Sequence, residues 1–358
     1  MGKHILMLGA GRMGSIVAQE LHTSGHHVTI LDARDGFDAT SQSQVTHALR
    51  DNQPHLVIGA LPSGIGVQAA TNVVEMGYNY LDMSFVPNVE GLLLGLGSER
   101  AAKEKNGAQG LGYYIPDVGL APGLSNLLVG RALAVKPRKR VVIEVGGIAL
   151  DESQPFGYVC TWNPQDLLAE YIRPAQVITD GRILELPPLS GKIMWSMQGV
   201  GVLESALTDG VRTLLHDMRV ENIEERTLRF RGHFDAVKKL IKTGDFVYGI
   251  REACETDALD QVIMRIVIDN EPSLYLHVKG TPELSAMARC TAMTTASFAE
   301  NILEMGVPDP CTDYERTWEM TSYSNVVPPE RFAEQKDRFL DIMMRLHSRG
   351  VTPYQNGG

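Results

Sequence analysis

The chain has 358 residues, of which 44% are hydrophobic and 21% charged, a composition typical of a globular protein with two sizeable cores. Its 43 acidic and 33 basic residues give a net charge of −10 without a long basic run, which argues against nucleic-acid binding. No apolar run is long enough to cross a membrane, no signal peptide is evident and the four cysteines lie far apart, so we expect no membrane partner and a cytoplasmic location.

The first predicted elements form a β-α-β unit. A buried strand, His4–Leu8, precedes an amphipathic helix, Met13–Ser24, and a second strand, His27–Leu31. The segment between the first strand and the helix, residues 9–14, reads Gly-Ala-Gly-Arg-Met-Gly, which is a G-x-G-x-x-G pattern. This layout predicts a dinucleotide site at which the N–H groups of the helix start face the pyrophosphate.

Each glycine of this pattern has its own expected role, and an acidic residue follows. We expect Gly9 to allow the tight turn, Gly11 to let the backbone approach the pyrophosphate and Gly14 to let helix and strand pack closely. Asp32, after the second strand, can accept the ribose hydroxyls and repels a 2′-phosphate, which favours NAD. Arg34 is able to bind a 2′-phosphate, so NADP stays open, and a plain surface turn is the alternative role of Asp32.

Strands and helices continue to alternate along the first third of the chain. The further predicted elements are helix Val45–Arg50, strand His55–Leu61, helix Val67–Met76, strand Tyr78–Met83, helix Gly95–Lys105 and strand Gly112–Ile115. Alternation with short connections predicts a Rossmann-type, doubly wound parallel sheet. Ligands of such sheets bind beyond the carboxyl ends of the strands. The loops expected to line the site follow Leu8, Asp32, Leu61, Met83 and Ile115.

After Ala134 the pattern changes to that of an α+β domain with an antiparallel sheet. Val141–Ile148 is a β-rich run, and two hairpins are predicted, around 179–181 and around 270–272. The predicted hairpin strands are Ala175–Ile178, Arg182–Leu186, Gln261–Asp269 and Leu274–Lys279. The predicted helices are Pro164–Tyr171, Asp209–His216, Phe234–Lys242, Glu283–Glu304 and Pro329–Arg349. We expect the helix from Glu283 to return to the first domain. This predicts a dinucleotide-binding domain of residues 1–125 and 285–358, and a substrate and dimerisation domain of residues 126–284.

The segment Asp117–Asn126 is a second informative feature, because it follows a predicted strand at the expected ligand edge. Two glycines and Pro122 fix an unusual turn. Proline suits the first turn of the next helix, whose N–H groups would then face an anion such as a substrate carboxylate. The alternative is a plain strand-to-helix linker between domains.

Five further segments are distributed over nearly the whole chain. They are Leu81-Asp82-Met83-Ser84-Phe85, Gly-Leu-Ala-Pro-Gly-Leu-Ser-Asn at 119–126, Phe230-Arg231-Gly232-His233, Ser285-Ala286-Met287-Ala288-Arg289 and Val326-Val327-Pro328-Pro329-Glu330. Together these segments resemble the saccharopine dehydrogenase family. The resemblance implies a Rossmann fold, a nicotinamide cofactor and a homodimer.

Within this family the pattern is most similar to that of lysine 6-dehydrogenases, through residues 145–148, residues 203–208 and Ala121. Saccharopine reductases carry an aspartate in place of Ala121 and a tyrosine in place of Phe85, whereas residues 158–164 resemble those reductases. The resemblance therefore implies NAD(P)-dependent oxidative deamination of an amino acid. Reductive condensation, as in saccharopine or carboxynorspermidine formation, is one alternative, and a catalytically silent nucleotide-binding regulator is another.

The implied chemistry moves a hydride from a nitrogen-bearing carbon to a nicotinamide, which requires an oriented cofactor, a base and partners for the substrate carboxylate. Candidate bases are Asp82 and Asp117, at strand ends, and His233, which we expect to titrate near neutral pH. For each, a structural role is the alternative. The expected cofactor contacts are Gly9, Gly11, Arg12, Met13, Gly14, Asp32, Leu61, Pro62, Met83, Ser84 and Gly119.

Substrate contacts are expected from the turn and from the second domain. Arg173 and Arg212 are candidate carboxylate clamps, because a guanidinium binds a carboxylate through two parallel N–H bonds. A solvated surface position is the alternative for either. The full expected set is Gly123, Asn126, Tyr158, Arg173, Arg212 and Thr213. We predict no metal site, because neither cysteine nor carboxylate completes the histidines at 22, 26 and 27.

Overall fold

The computed structural model describes residues 2–86, 110–161, 164–308 and 325–355. The chain divides into two compact units, Met1–Ala134 with Thr291–Arg349, and Val135–Cys290 with Gly350–Gly358. In the described ranges no helix is both long and apolar enough to cross a membrane. The helix predicted at Gly95–Lys105 lies outside the described residues.

The first unit contains a five-stranded parallel sheet, as predicted. Its strands are β1 (His4–Leu8), β2 (His27–Leu31), β3 (Leu56–Gly59), β4 (Tyr80–Asp82) and β5 (Tyr114–Ile115), in the spatial order β2-β1-β3-β4-β5. The central strands are continuous apolar runs because helices cover such sheets on both faces. In β1, for example, Ile5 to Leu8 are all buried.

Helices connect these strands and contribute to the first unit. They are α1 (Arg12–Thr23), α2 (Gln42–Asn52), α3 (Ser63–Glu75) and α4 (Leu124–Val135), with α9 (Ala286–Met305), α10 (Pro329–Phe332) and α11 (Lys336–Ser348) later in the chain. Helix α1 buries Gly14, Val17, Ala18 and Leu21, a stripe with the three- and four-residue spacing of one helix face. The single helix predicted at Pro329–Arg349 is two helices, because Gln335 has extended backbone and begins the second one.

The second unit is built on a mixed sheet. Its strands are β6 (Arg138–Ala149), β7 (Ala175–Thr179), β8 (Arg182–Leu186), β9 (Ile193–Met197), β10 (Gly201–Thr208), β11 (Val220–Phe230), β12 (Asp260–Ile268) and β13 (Glu271–Lys279). The main path is β13-β12-β6-β11-β10-β9, with β7 paired to β11 and to β8. The predicted α+β class is confirmed, and most strand pairs are antiparallel as expected, while β6 and β11 run parallel and make the sheet mixed.

Helices α5 (Pro164–Ile172), α6 (His233–Thr243), α7 (Phe246–Gly249) and α8 (Arg251–Cys254) complete the second unit. The helix predicted at Asp209–His216 is a short 3-10 helix, Arg212–His216. The hairpin between β12 and β13 turns at Asp269 and Asn270, with φ of 53° and 70°, rather than at residues 270–272. Two positive φ angles are the type I′ geometry of a two-residue hairpin. Pro272 instead lies in edge strand β13, where its missing N–H is tolerated.

Candidate functional site

The order of the parallel strands places a crevice between the loops after β1 and β3. Strand β1 has β2 on one side and β3 on the other, so the chain changes direction across the sheet at this point, where such sheets bind their ligands. Backbone hydrogen bonds fix both loops: Gly9 N–H donates to Leu31 O over 2.9 Å, and Ala60 N–H to Leu8 O over 2.9 Å. The G-x-G-x-x-G segment therefore begins at the crevice.

The three glycines of this segment differ in what a side chain would meet. Gly9 has a φ of 97°, and a Cβ there would lie 2.5 Å from Ala60 O. A Cβ on Gly14 would lie 2.3 Å from Gly9 O, so the tight turn and the close packing both require glycine. Around Gly11 the corresponding space is open to 4 Å. Its use by a pyrophosphate stays a prediction.

The start of α1 is suited to an anion. No side chain caps the helix at Gly11, and its first turn contains no acidic residue. The helix dipole and the amide groups at such an end favour a negative charge. Arg12 and Met13, two of the expected cofactor contacts, are the first residues of this helix.

Asp32 and Arg34 brace the glycine segment. Asp32 Oδ2 accepts a hydrogen bond from Ala10 N–H over 2.7 Å, and its Oδ1 accepts from both Arg34 N–H and Arg34 Nε. Arg34 Nη2 donates to Ala10 O over 2.6 Å. The hydrogen bonds from the Arg34 side chain, followed by those from the two backbone amides, hold the pKa of Asp32 well below its usual range. Asp32 is therefore an anion beside the crevice, whose charge Arg34 offsets.

The expected cofactor residues after β3 and β4 are tied together by Ser84. Its hydroxyl donates to Leu61 O over 2.9 Å, and its N–H donates to Asp82 Oδ1 over 2.8 Å. Pro62 precedes α3 directly, and Met83 N–H donates to Gly59 O. These residues therefore lie on adjoining loops at the carboxyl edge of the sheet.

Asp82 is a completely buried carboxyl group at the end of β4. Tyr114 OH donates to its Oδ2 over 3.1 Å. Burial raises the pKa of Asp82 to about 7, against the opposing hydrogen bonds from Ser84 and Tyr114, and the nearby charge of Asp117 raises it further. A carboxyl group that titrates near neutrality has the pKa of a general base. Its hydrogen bonds also link neighbouring loops, so a catalytic base and a structural residue are both consistent with this geometry.

Asp117 lies on the neighbouring loop and has an unusual backbone. Its φ is 58°, in the left-handed region, and its side chain is buried. The next residue, Val118, donates its N–H to Asp82 O over 3.0 Å. The two candidate acids Asp82 and Asp117 are thus brought together at one edge of the sheet.

The turn at 119–126 is closed by its own groups. Leu124 N–H donates to Gly119 O and Ser125 N–H to Leu120 O, while Gly123 N–H donates to Asn126 Oδ1. The expectation that the N–H groups of this helix start face a substrate anion is therefore wrong, because the turn itself uses them. Gly123 and Asn126, expected as substrate contacts, are buried and shape the turn, which includes a cis peptide bond before Pro122.

His233, the third candidate base, lies in the second unit within an aromatic cluster. Its Nε2 is 3.0 Å from Tyr171 OH and its Nδ1 is 2.9 Å from Phe156 O. Burial, together with the charge of Arg229, lowers the pKa of His233 to about 3. The expectation that it titrates near neutral pH is wrong for this reason. Tyr158 lies in the same cluster, with the Arg229 guanidinium 4.8 Å from its ring centre.

The candidate clamps Arg173 and Arg212 belong to one charged cluster. Arg173 Nε lies 3.0 Å from Asp209 Oδ2, and Arg212 and Glu170 are among the charges that act on it. Arg212 is only 6% exposed, which excludes a solvated surface position, and it has a φ of 57°. Thr213 is buried beside it.

The sequence pattern did not reveal a connected set of polar residues in the second unit. Four of them are buried on its sheet, Thr208, Glu225, Thr227 and Arg229, and the partly exposed Glu170 of α5 joins them. A signal was present, because 225, 227 and 229 alternate along one strand and so share a face. Because these residues are polar, the strand lacks the apolar alternation by which a buried strand is recognised. In the part of the chain that the structure describes, no group of three His, Cys, Asp or Glu residues is arranged to hold a metal ion.

Comparison with models of protein families identifies a family for this chain. A family model described as the saccharopine dehydrogenase C-terminal domain matches residues 119–351, more than half of the chain. Comparison with curated proteins gives no significant match.

Two solved structures illustrate the structural similarity. Apo histidine-tagged saccharopine dehydrogenase (L-Glu forming) from Saccharomyces cerevisiae has 15% sequence identity and a TM-score of 0.65, covering 99% of this chain and 100% of that one. The WlbA (WbpB) dehydrogenase from Thermus thermophilus in complex with NAD and UDP-GlcNAcA has 13% identity and a TM-score of 0.40, covering 85% and 89%. The first likeness shows a shared fold, and the second is too distant to support an argument.

Proposed function

This chain belongs to the saccharopine dehydrogenase family, and on that premise we propose that it is a nicotinamide-dependent oxidoreductase acting on a C–N bond of an amino acid. The observation that carries the proposal is the glycine segment at the crevice between β1 and β3, with open space at Gly11 and an uncapped helix behind it. The residues present fit a dinucleotide. When bound, its nicotinamide ring would supply the hydride acceptor.

The residues of the first unit divide the binding task. Gly11 and the start of α1 would hold the pyrophosphate, and Asp32 would accept hydrogen bonds from the hydroxyl groups of the adenosine ribose. The adjoining loops at Leu61 and Ser84 would border the nicotinamide. Asp82, whose pKa is raised to about 7 by burial, would be the base that takes a proton from a substrate ammonium group. The charge of Asp117 also raises the pKa of Asp82.

NAD is the proposed cofactor, with NADP as a second one. The carboxylate of Asp32 favours an unmodified ribose, which supports NAD. Arg34 offsets that charge and its side chain is 71% exposed, so it could turn towards a 2′-phosphate. This geometry supports measurable binding of both cofactors.

Oxidative deamination of the lysine 6-dehydrogenase type is the specific reaction that we propose. It rests on Ala121, which stands where saccharopine reductases carry an aspartate, and on Phe85 in place of a tyrosine. Reductive condensation of the saccharopine type is the second candidate. The observation that favours it is that Arg173 and Arg212 lie in one cluster, which suits a substrate with more than one carboxylate.

A substrate panel distinguishes these reactions. Amino acids and polyamines are supplied with NAD or NADP, and formation of reduced cofactor is followed by its absorbance. We expect lysine with NAD to give reduced cofactor. In the reverse direction, oxidation of NADH that requires both an amine and an aldehyde or keto acid would favour the condensation reaction. Nucleotide binding without turnover on any compound would favour a silent regulator.

A further inference from the structure

A chain of four oxygen-bearing side chains runs through the second unit, and its hydrogen atoms can be counted. Thr208 Oγ1 lies 2.6 Å from Glu225 Oε2 and 2.9 Å from Thr227 Oγ1, and Thr227 Oγ1 lies 2.5 Å from Glu170 Oε1. Each of these three contacts needs one hydrogen. The two threonine hydroxyls supply one each, so the remaining hydrogen belongs to one of the two carboxyl groups.

The surroundings of the two carboxyl groups decide which one carries this hydrogen. Glu170 is partly exposed, and Arg229 Nη2 lies 4.0 Å from its Oε1. Glu225 is buried and faces the acidic Glu170 and Asp209, with Arg229 as the opposing positive charge. Burial accordingly raises the pKa of Glu225 to about 8. The count requires one protonated carboxyl group, and the environment of Glu225 places the hydrogen there.

The strand pattern builds this arrangement. Side chains at 225 and 227 share one face of β11, because successive residues of a strand point to opposite sides. Thr208 of β10 lies directly opposite Glu225 in the antiparallel register, which brings its hydroxyl between the two β11 side chains. Glu170 is contributed by α5.

We infer that Glu225 is held as a neutral carboxylic acid and that it exchanges its proton with Glu170 through the hydroxyl groups of Thr208 and Thr227. These four residues are here called the proton path. In one transfer the O–H bonds of Glu225, Thr208 and Thr227 break. New O–H bonds form on Thr208, Thr227 and Glu170. The negative charge moves from Glu170 to Glu225, and no other reactant is consumed.

Glu170, the partly exposed end of the proton path, lies close to a residue that is proposed to bind the substrate. Glu170 is one of the charges that act on Arg173, which the sequence predicts as a carboxylate clamp. This part of the inference rests on the proposed function. Glu170 would take up a proton released by a substrate amine, or return one to it, while Glu225 keeps the shared proton at rest.

Infrared spectroscopy tests the neutral acid without any need for activity. At pH 7 the spectrum of the wild type minus that of Glu225→Gln should contain the C=O stretching band of a protonated carboxyl group, shifted in deuterium oxide. The control Glu221→Gln changes an exposed residue of the same strand. The spectrum of the wild type minus that of Glu221→Gln should therefore lack this band. Absence of the band from the first difference spectrum would overturn the inference.

The stability of Glu225→Gln gives a second readout. Its amide N–H₂ can donate to Thr208 as the neutral acid does, so the variant should unfold at the wild-type midpoint at pH 5. Because the folded-state pKa of Glu225 is raised, wild-type stability should fall as pH rises from about 5 towards 9, and the variant should lack that part of the fall. Parallel curves over this range would contradict a neutral Glu225.

Thr227→Val tests the exchange with Glu170, because it removes the hydroxyl between the two ends while it preserves the shape of the side chain. On the amine substrate that the panel identifies, we expect the pH profile of kcat to change in Thr227→Val. The profile of the control Thr243→Val, an exposed helix-end threonine, should match the wild type. An unchanged profile in Thr227→Val would refute the exchange. If no substrate is turned over, the proposed function fails, and the infrared band still decides the state of Glu225.

Discussion

Gly11 allows nucleotide binding to be tested with little disturbance of the fold. A Cβ at Gly9 or Gly14 would collide with a backbone oxygen, whereas at Gly11 it would meet no atom within 4 Å. We expect Gly11→Ala to fold like the wild type and to bind NADH about tenfold more weakly, or ~1.4 kcal/mol, because the methyl group fills the space of the pyrophosphate. Titration calorimetry measures this. Gly110→Ala, also in open space, is the control, and equal affinities in the two variants would refute pyrophosphate binding at Gly11.

Arg34 should set the preference between the two cofactors. In Arg34→Ala, Asp32 loses the side chain that offsets its charge and occupies Oδ1. We expect the ratio of NADPH to NADH dissociation constants to rise about tenfold, which corresponds to ~1.4 kcal/mol. Arg50→Ala, an exposed arginine on α2, is the matched control. The account of Arg34 fails if the ratio stays at the wild-type value while both nucleotides bind.

Asp82 should link stability to pH. Its folded-state pKa is raised to about 7 from a reference of 3.8, so the stabilising contribution is complete below about pH 4 and is lost as pH rises towards 7. Asp82→Asn should remove this loss, which is at most about 4 kcal/mol at 1.36 kcal/mol for each pKa unit. Denaturant unfolding of both proteins at pH 5 and pH 8 measures it. An identical change in both proteins would show that Asp82 is ionised at pH 5.

At the residue scale, sequence reasoning succeeded where the requirement is local. The need for glycine at 9 and 14 follows from the backbone of a single turn. The low pKa of His233 could not be predicted, because it depends first on burial among side chains such as Phe156 and Tyr171, which lie far from it in the sequence, and then on the charge of Arg229.

At the scale of elements, Asp260 stabilises the start of α9. This residue begins β12, and its carboxylate accepts hydrogen bonds from Ala286 N–H over 2.6 Å and from Met287 N–H over 2.9 Å. We expect Asp260→Ala to reduce the free energy of unfolding by about 1–2 kcal/mol, as for other lost helix caps. Chemical denaturation provides the measurement, with the exposed Asp257→Ala as control. A loss no larger than that of the control would exclude a capping role.

Elements with a clear apolar pattern were predicted, and those with polar interior faces were missed. The bounds of β1 agree with the prediction because a continuous apolar run leaves little freedom in a parallel sheet. Strands β10 and β11 bury Glu204, Thr208, Glu225 and Arg229. Such residues mask the alternation on which strand prediction depends.

At the scale of the whole molecule, the order of elements was sufficient to predict the fold class but not the pairing of the second sheet. Alternating strands and short helices permit few arrangements other than a parallel, doubly wound sheet. Long connections such as the one from β6 to β11 permit either direction of pairing, so the parallel pair was not predictable.

Isotope transfer tests whether a hydride passes from the nitrogen-bearing carbon of the substrate to the nicotinamide. Lysine deuterated at the carbon that bears its side-chain nitrogen is supplied with NAD and the full-length protein, and the reduced cofactor is analysed by mass spectrometry. We expect reduced cofactor that carries one deuterium, formed by the wild type and Gly110→Ala and strongly diminished in Gly11→Ala. Reduced cofactor without deuterium, from lysine or from any other active amine labelled in the same way, would contradict this hydride transfer.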